Sequence, residues 1–274
     1  MTFPRPHPAQ KATLVNSSPT PVSPNTTPPI SVQLWTVRDH FDDLPGTLRR
    51  LTDIGFTQVE AWGFMRVPEL AVALRDAGLH SPTGHATLID GDLDETFAAA
   101  SSMGIHTVIE PWTEPARWQR AEDVVSMAGE LNAAAERAAE FGLRVGYHNH
   151  DHEFSTLLNG RPAFDLFVEH LDPQIALEID VHMVQVGGQD PLDVLRRYAD
   201  RVIAVHLLGE PTISTTASDD AAAVREIVPL AIPTIELNES QTDVFGVLAA
   251  AYPLLAAGRH TAHGMTSTDR SRLS

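Results

Sequence analysis

The sequence predicts a (β/α)8 TIM barrel, built as one domain over residues 31–257. Three observations point there. A short β-type run followed by a helical run recurs eight times along that stretch, the alternation of a parallel sheet wrapped by helices. Glycine closes one helical run after another, at Gly55, Gly78, Gly104 and Gly142, where a residue without a Cβ can turn left-handed and end a helix. The G-x-G-x-x-G turn that marks a dinucleotide-binding open sheet is missing after the first strand.

The units follow in order. Strand 31–37 (SVQLWTV) leads into Leu44, Leu48, Leu51 and Ile54 at helical spacing. Strand 57–61 precedes helix 68–77, and a weaker strand 80–85 precedes helix 93–103. Strand 107–110 is followed by a long Ala-rich helix over 121–141. The fifth strand, 144–149, pairs with helix 163–171, and the sixth, 175–180, with helix 192–198. The seventh, 202–207, leads to helix 221–228, and the eighth, 233–237, to helix 244–255. Residues 1–30 are rich in Pro, Ser and Thr. Such a segment buries too little apolar surface to offset its ordering entropy, so it reads as a disordered arm that the fold does not need. Residues 258–274 read as a flexible tail.

Composition narrows the function. The 274 residues are 43% hydrophobic and include no cysteine. That excludes disulfides, thiolate zinc sites and a cysteine nucleophile, and it fits a reducing compartment. Lys11 is the sole lysine and falls in the arm. Schiff-base chemistry, a P-loop and a Ser–Lys pair, each needing a positioned ammonium, are therefore excluded. A formal net charge of −17 repels duplex DNA and anionic lipid. No apolar run approaches the ~20 residues of a membrane span, and the N-terminus lacks an apolar signal core. A cytoplasmic protein with neither nucleic acid nor membrane as partner is expected. Assembly into a homo-oligomer stays open.

In a parallel barrel the C-terminal ends of the strands form one crown, where active sites lie. The predicted ends carry Gln33 and Trp35, then Glu60, His85, Glu110 with Trp112, and His148 with His150 and Glu153. They continue with Asp180 and His182, His206, and Glu236 ahead of Asn238 and Glu239. Taken singly, a strand-end histidine is more often a hydrogen-bonded structural residue, and Glu60 or Glu110 would simply face solvent. Their convergence changes the balance, because burying several carboxylates without a cation is costly. Mixed imidazole and carboxylate donors suit one divalent ion, Mn, Zn, Co or Mg.

The runs GYHNHDHEF (146–154), ALEIDVHMVQVGGQDP (176–191), VIAVHLL (202–208) and TIELNES (234–240), with SVQLWTVRD (31–39), resemble the sugar phosphate isomerase/epimerase family. That family belongs to the xylose isomerase-like TIM barrels. The resemblance covers nearly all of residues 31–256 in the right order. It implies a divalent ion held by His148, Asp180, His206 and Glu236; Glu153 is the substitute for His148, which stands where many relatives have glutamate. The implied chemistry is α-proton abstraction beside a metal-polarised carbonyl of a sugar or keto-sugar, through an enediolate, with Glu236 as base and His148 as second catalytic residue. Gln33, Trp35, Glu60, His85, Glu110, Trp112, His150, Glu153 and His182 are then expected to line a small carbohydrate substrate. A lyase or dehydratase acting on a keto-glycoside or inositol-like substrate would start with the same step. Relatives carry Lys-Asp after the His-Leu of the seventh strand, whereas this chain has Leu208 and Gly209. That departure, with the polar stretch 210–223, keeps a carbohydrate-binding barrel without catalysis as a third reading. The nuclease branch of the same superfamily requires a basic groove, which the charge opposes.

Overall fold

A computed structural model of the chain describes residues 28–209, 217–237 and 243–257. The first half runs β1 (Ser31–Val32), a 3-10 stretch (Leu34–Asp43), α1 (Leu44–Ile54), β2 (Gln58–Trp62), α2 (Leu70–Ala77), β3 (His80–His85), α3 (Leu93–Met103) and β4 (Thr107–Glu110). A 3-10 turn (Pro115–Trp118), α4 (Ala121–Ala139) and β5 (Arg144–His148) follow. Beyond β5 come α5 (His152–Ser155), a hairpin of β6 (Leu157–Leu158) and β7 (Arg161–Pro162), α6 (Ala163–His170), β8 (Ala176–Asp180), α7 (Val181–Val186) and α8 (Pro191–Tyr198). The chain continues through β9 (Val202–Gly209), α9 (Ala217–Ile227), β10 (Ile232–Leu237) and α10 (Val244–Ala257).

Eight of these strands form one parallel sheet in the order β1-β10-β9-β8-β5-β4-β3-β2. The ring closes between β1 and β2 through a parallel bridge, Gln33 to Glu60. The same two side chains are bonded, Gln33 Nε2 donating to Glu60 Oε1 at 2.7 Å. The eight-stranded barrel foreseen from the alternation is thus present.

Local sequence sets the helix ends. The side chains of Asp43, Asp92, Asp180 and Asp190 each accept a backbone N–H of the first turn they precede, relieving donors that a helix start leaves unpaired. Gly78 and Gly104 end α2 and α3 at φ 70° and 74°. The strands are buried on both faces, as parallel barrels require. On β8, Leu177 and Ile179 join the apolar core against the helices, while the alternate residues Glu178 and Asp180 point into the polar crown.

Three expectations need correction. The run 31–37 is strand only through Val32; beyond the Gln33 bridge it becomes 3-10 helix, because the Gln33 side-chain oxygen caps the Trp35 N–H at 3.3 Å. The short elements α5, β6, β7 and α7 went unforeseen, being too brief to show periodicity. The arm assigned to residues 1–30 overlaps the barrel: Ile30 is a core residue, 1% exposed, and the Pro29 carbonyl accepts from Gln58 Nε2 at 2.9 Å. Residues 1–27 and the tail 258–274 lie outside the described residues. Among the described residues no helix is long and apolar enough to cross a membrane.

Candidate metal centre and active site

The barrel brings Gln33, Glu60, His85, His148, Asp180, His206 and Glu236 into its C-terminal crown, all buried. Ligand atoms of His148, Asp180, His206 and Glu236 lie within 4.8 Å of one another. A second group, His85, His148, Glu178 and His206, meets the same limit and shares both central rings. Glu178 joins the crown although the sequence assigns it no role. Its signal was present: it stands two residues before Asp180, and period two puts both on one strand face.

Contacts inside the crown are short. His206 lies between two carboxylates, Nδ1 at 2.9 Å from Glu236 Oε2 and Nε2 at 2.8 Å from Glu60 Oε1. Glu178 Oε2 meets His85 Nε2 at 2.6 Å, and His148 Nδ1 and His206 Nε2 at 3.2 Å each. Asn149 ties two strand ends together, its amide exchanging hydrogen bonds with the Asp180 backbone at 3.1 and 3.3 Å. That pin extends the β5–β8 pairing by one residue and holds His148 beside Asp180.

The electrostatics describe a site rich in negative charge. Burial pushes the His85 imidazole down, but Glu60 and Glu178 outweigh it and raise the pKa to about 10. His206 is likewise pulled well above the usual range against its burial, chiefly by Glu178 and Glu236. Burial works to raise Glu236, yet the neighbouring His206 holds it at about 2. Burial raises Asp180, whose side chain accepts from the Met183 N–H at 2.9 Å.

The donor set fits a divalent cation. Among the described residues Glu178 Oε1 is buried without a hydrogen-bond partner, and His148 Nδ1 has only the 3.2 Å approach of Glu178 Oε2, a costly arrangement that a cation relieves. Imidazole nitrogens and carboxylate oxygens converging in one buried place are donors for Mn, Zn or Co.

Several expected substrate contacts are otherwise engaged. Both Glu110 oxygens are spent on backbone, accepting from Leu88, Ile89 and Trp112 N–H at 2.7, 2.8 and 3.3 Å. This carboxylate pins the loop after β3. Burial lifts it to about 7, against those three donors. Glu153 accepts from the Tyr147 hydroxyl and the His150 N–H, each at 2.9 Å. A relay from Trp118 through Thr113 to Tyr147 stands behind it. Glu153 belongs to neither four-residue group, so it props the turn that carries His150 and does not replace His148.

At the rim, Trp112 is 47% exposed and meets the His150 and His152 rings edge-on at 4.6 and 5.1 Å. Trp35 packs on Trp62 at 4.8 Å, with the Arg38 guanidinium over its face at 3.8 Å. His182 is half-buried in the first turn of α7. Asn238 and Glu239 lie outside the described residues. A cavity of about 280 Å³ opens beside His85, lined by Trp62, Arg66, Asp92 and Pro111. A larger groove of about 980 Å³ lies at the opposite end of the barrel, at the starts of β2, β3 and β10. It contains none of the clustered carboxylates, so chemistry and not volume locates the site.

No family model matches the chain. It is 35% identical over 83 residues to an inosose dehydratase of Geobacillus kaustophilus, covering 30% of this chain and 26% of that protein. It is 27% identical over 161 residues to the rhizopine catabolism protein MocC of Rhizobium meliloti, covering 58% of this chain and 48% of the relative. The matches thus span between about a quarter and a half of these curated relatives. A solved sugar phosphate isomerase/epimerase from Parabacteroides distasonis superposes with a TM-score of 0.71 at 20% identity, over 86% of this chain and 97% of that one. At that identity the likeness is one of fold, a (β/α)8 barrel.

Proposed function

We propose that this chain is a divalent-metal-dependent enzyme that abstracts the proton beside the carbonyl of a neutral keto-sugar, acting as an isomerase or epimerase. The observation that carries the reading is the buried convergence of His148, Asp180, His206 and Glu236. These four residues would hold the ion, and a divalent ion there supplies Lewis-acid polarisation of a substrate carbonyl. Glu236, kept ionised with a pKa of about 2, is the carboxylate placed to receive the proton. His150 stays neutral, since burial first and His148 second push its pKa down to about 2. A neutral imidazole can both donate to and accept from sugar hydroxyls. Trp112 beside it offers an apolar ring for the C–H face of a sugar.

Charge argues for an unphosphorylated substrate. Of the arginines in the loops after β4 and β5, Arg117, Arg120 and Arg161 are paired with Glu130, Glu122 and Glu169. Arg38 is stacked on Trp35, which among the described residues leaves Arg66 at the cavity against the carboxylates of the crown. Residues 210–216 and 238–242, outside the described residues, contain no lysine or arginine.

A second reading, dehydratase, is favoured by the curated relatives called inosose dehydratase. It begins with the same proton abstraction and then expels a β-hydroxyl as water. Incubating metal-loaded protein in D2O with ketoses, inososes and 3-keto-glycosides separates the two. Deuterium in the recovered keto-sugar or its epimer supports the first reading; an unsaturated ketone with loss of water supports the second. Neither product from any such substrate, with Mn, Zn, Co or Mg supplied, would remove the enzymatic reading altogether.

A further inference from the structure

We propose that Glu60 is the positioning residue of the centre: it keeps the proton of His206 on Nε2 and so presents Nδ1 to the His148–Asp180–Glu236 side. This inference rests on the metal-binding reading above.

Both ring nitrogens of His206 face carboxylates, Glu236 at Nδ1 and Glu60 at Nε2. A neutral imidazole has one N–H and one lone pair, and the partner of one nitrogen decides the role of the other. The two carboxylates are not equivalent. Glu236 belongs to the four-residue group that can share a cation, whereas Glu60 stands outside both such groups. The Glu60 oxygen facing His206 is already an acceptor, receiving Gln33 Nε2 at 2.7 Å.

The Gln33 amide is itself oriented: its oxygen takes the Trp35 N–H at 3.3 Å, so its nitrogen is the end that reaches Glu60. Its backbone N–H is held by the Ile235 carbonyl at 2.9 Å. Glu178 also approaches His206 Nε2, at 3.2 Å, but that oxygen is shared with His85 at 2.6 Å and His148 at 3.2 Å. Glu60 Oε1 also lies 3.2 Å from His85 Nε2, but at 2.8 Å it is nearer to His206 Nε2 than Glu178 is, and Gln33 holds it in place. A carboxylate behind a metal-binding histidine fixes the tautomer and ring orientation, and losing it typically weakens metal affinity ~10–100-fold. The bridge that closes the barrel between β1 and β2 is made by these same residues, Gln33 and Glu60. The carboxylate argued to orient His206 therefore sits where the backbone ring closes.

Histidine-15N-labelled full-length protein loaded with Zn tests this by long-range 1H–15N correlation of His206. The expected spectrum has a proton on Nε2 and the metal-bound shift on Nδ1. Glu60→Met should lose that signature and bind Zn ~10–100-fold more weakly by calorimetry. Glu60→Gln, which keeps an acceptor oxygen, should retain the signature and stay near wild-type affinity. Zn bound through Nε2 in the wild type, or undiminished affinity in folded Glu60→Met, overturns the assignment and leaves the metal reading standing. If Glu60→Met does not fold, the wild-type spectrum decides by itself. Wild-type protein that binds no Zn overturns both.

Discussion

Glu236 and Asp180 face the same buried centre, yet neutralising them should produce different failures. Glu236→Gln nearly preserves volume and keeps an oxygen for a cation, but an amide cannot accept a proton at neutral pH. The variant should retain its metal and lose solvent-deuterium exchange at the substrate α-carbon by ~10²–10⁴-fold, the usual contribution of a general base. Asp180 also caps α7 through the Met183 N–H, so Asp180→Asn should weaken metal binding itself. Elemental analysis should find it metal-poor, and excess metal should recover part of its exchange. Near-normal exchange by metal-loaded Glu236→Gln would move the base elsewhere, with His148 the first alternative.

The loop that carries His150 depends on how closely α7 approaches it. Gly187, at the end of α7, sits so near that a Cβ would lie 2.6 Å from both the Asp151 carbonyl oxygen and the Phe154 Cβ. Its φ of −71° suits any residue, so the demand there is for space and not for backbone freedom. Gly187→Ala should cost ~1–3 kcal/mol by overpacking and displace the His150 turn, measurable as lower denaturant stability and a raised KM. The control is Gly129 inside α4, where an added Cβ meets nothing within 4 Å. Gly129→Ala should stabilise by ~0.4–1 kcal/mol through helix propensity and a less flexible unfolded chain. At the barrel entrance, deletion of residues 1–27 should leave the melting temperature unchanged. Deletion of 1–30 removes the buried Ile30 and the Pro29 acceptor, and should cost ~2–5 kcal/mol, the scale of emptying a buried aliphatic site. Equal melting temperatures for the two truncations would show that Ile30 carries no such weight.

On the scale of the whole molecule, the proposed metal centre would couple folding to cation and to proton. A ligand that binds only the folded state adds RT ln(1 + [L]/Kd), ~2.7 kcal/mol at a hundredfold excess over Kd. For a domain of this size that is a rise of roughly 5–10 °C in melting temperature, readable by scanning calorimetry with Mn or Zn against EDTA. Without metal, the pH profile follows the shifted groups. His85 is raised from 6.5 to about 10, so its contribution is full below pH 6.5 and is lost as pH climbs to 10. Glu110 and Glu153 are raised from 4.5 to about 7; the folded state holds their protons more tightly, and stability falls between pH 4.5 and 7. Glu236 is lowered to about 2, so its contribution is present above 4.5 and lost below. His150, lowered from 6.5 to about 2, works the other way up to pH 6.5. The metal-free protein should therefore melt highest between pH 5 and 6.5 and progressively lower toward pH 10, and added metal should flatten the alkaline side. A metal-free optimum above pH 8 would contradict this account of the crown.

Much of the barrel was legible in one dimension because its signals are local. Strand and helix alternate within short windows, helix α3 runs from Leu93 to Met103 as its spacing predicts, and glycines stop helices by their own backbone preference. The strand-end residues were legible for the same reason: a polar side chain at the end of an apolar run stands out wherever the strand goes. What a buried carboxylate does there was not legible, because that depends on which atoms the fold brings opposite it. Glu110 and Glu153 have the sequence appearance of substrate contacts, yet backbone N–H groups and Tyr147 occupy their oxygens. Glu178 reads as one more polar residue on a strand until closure of the ring sets it among His85, His148 and His206. The sequence by itself determined the unit, its repetition and the chemical types at the crown. Only the tertiary structure decided which of those groups converge closely enough to hold a cation and which brace a loop, because hydrogen bonds and desolvation act over a few ångströms between residues as far apart in the chain as Glu60 and His206.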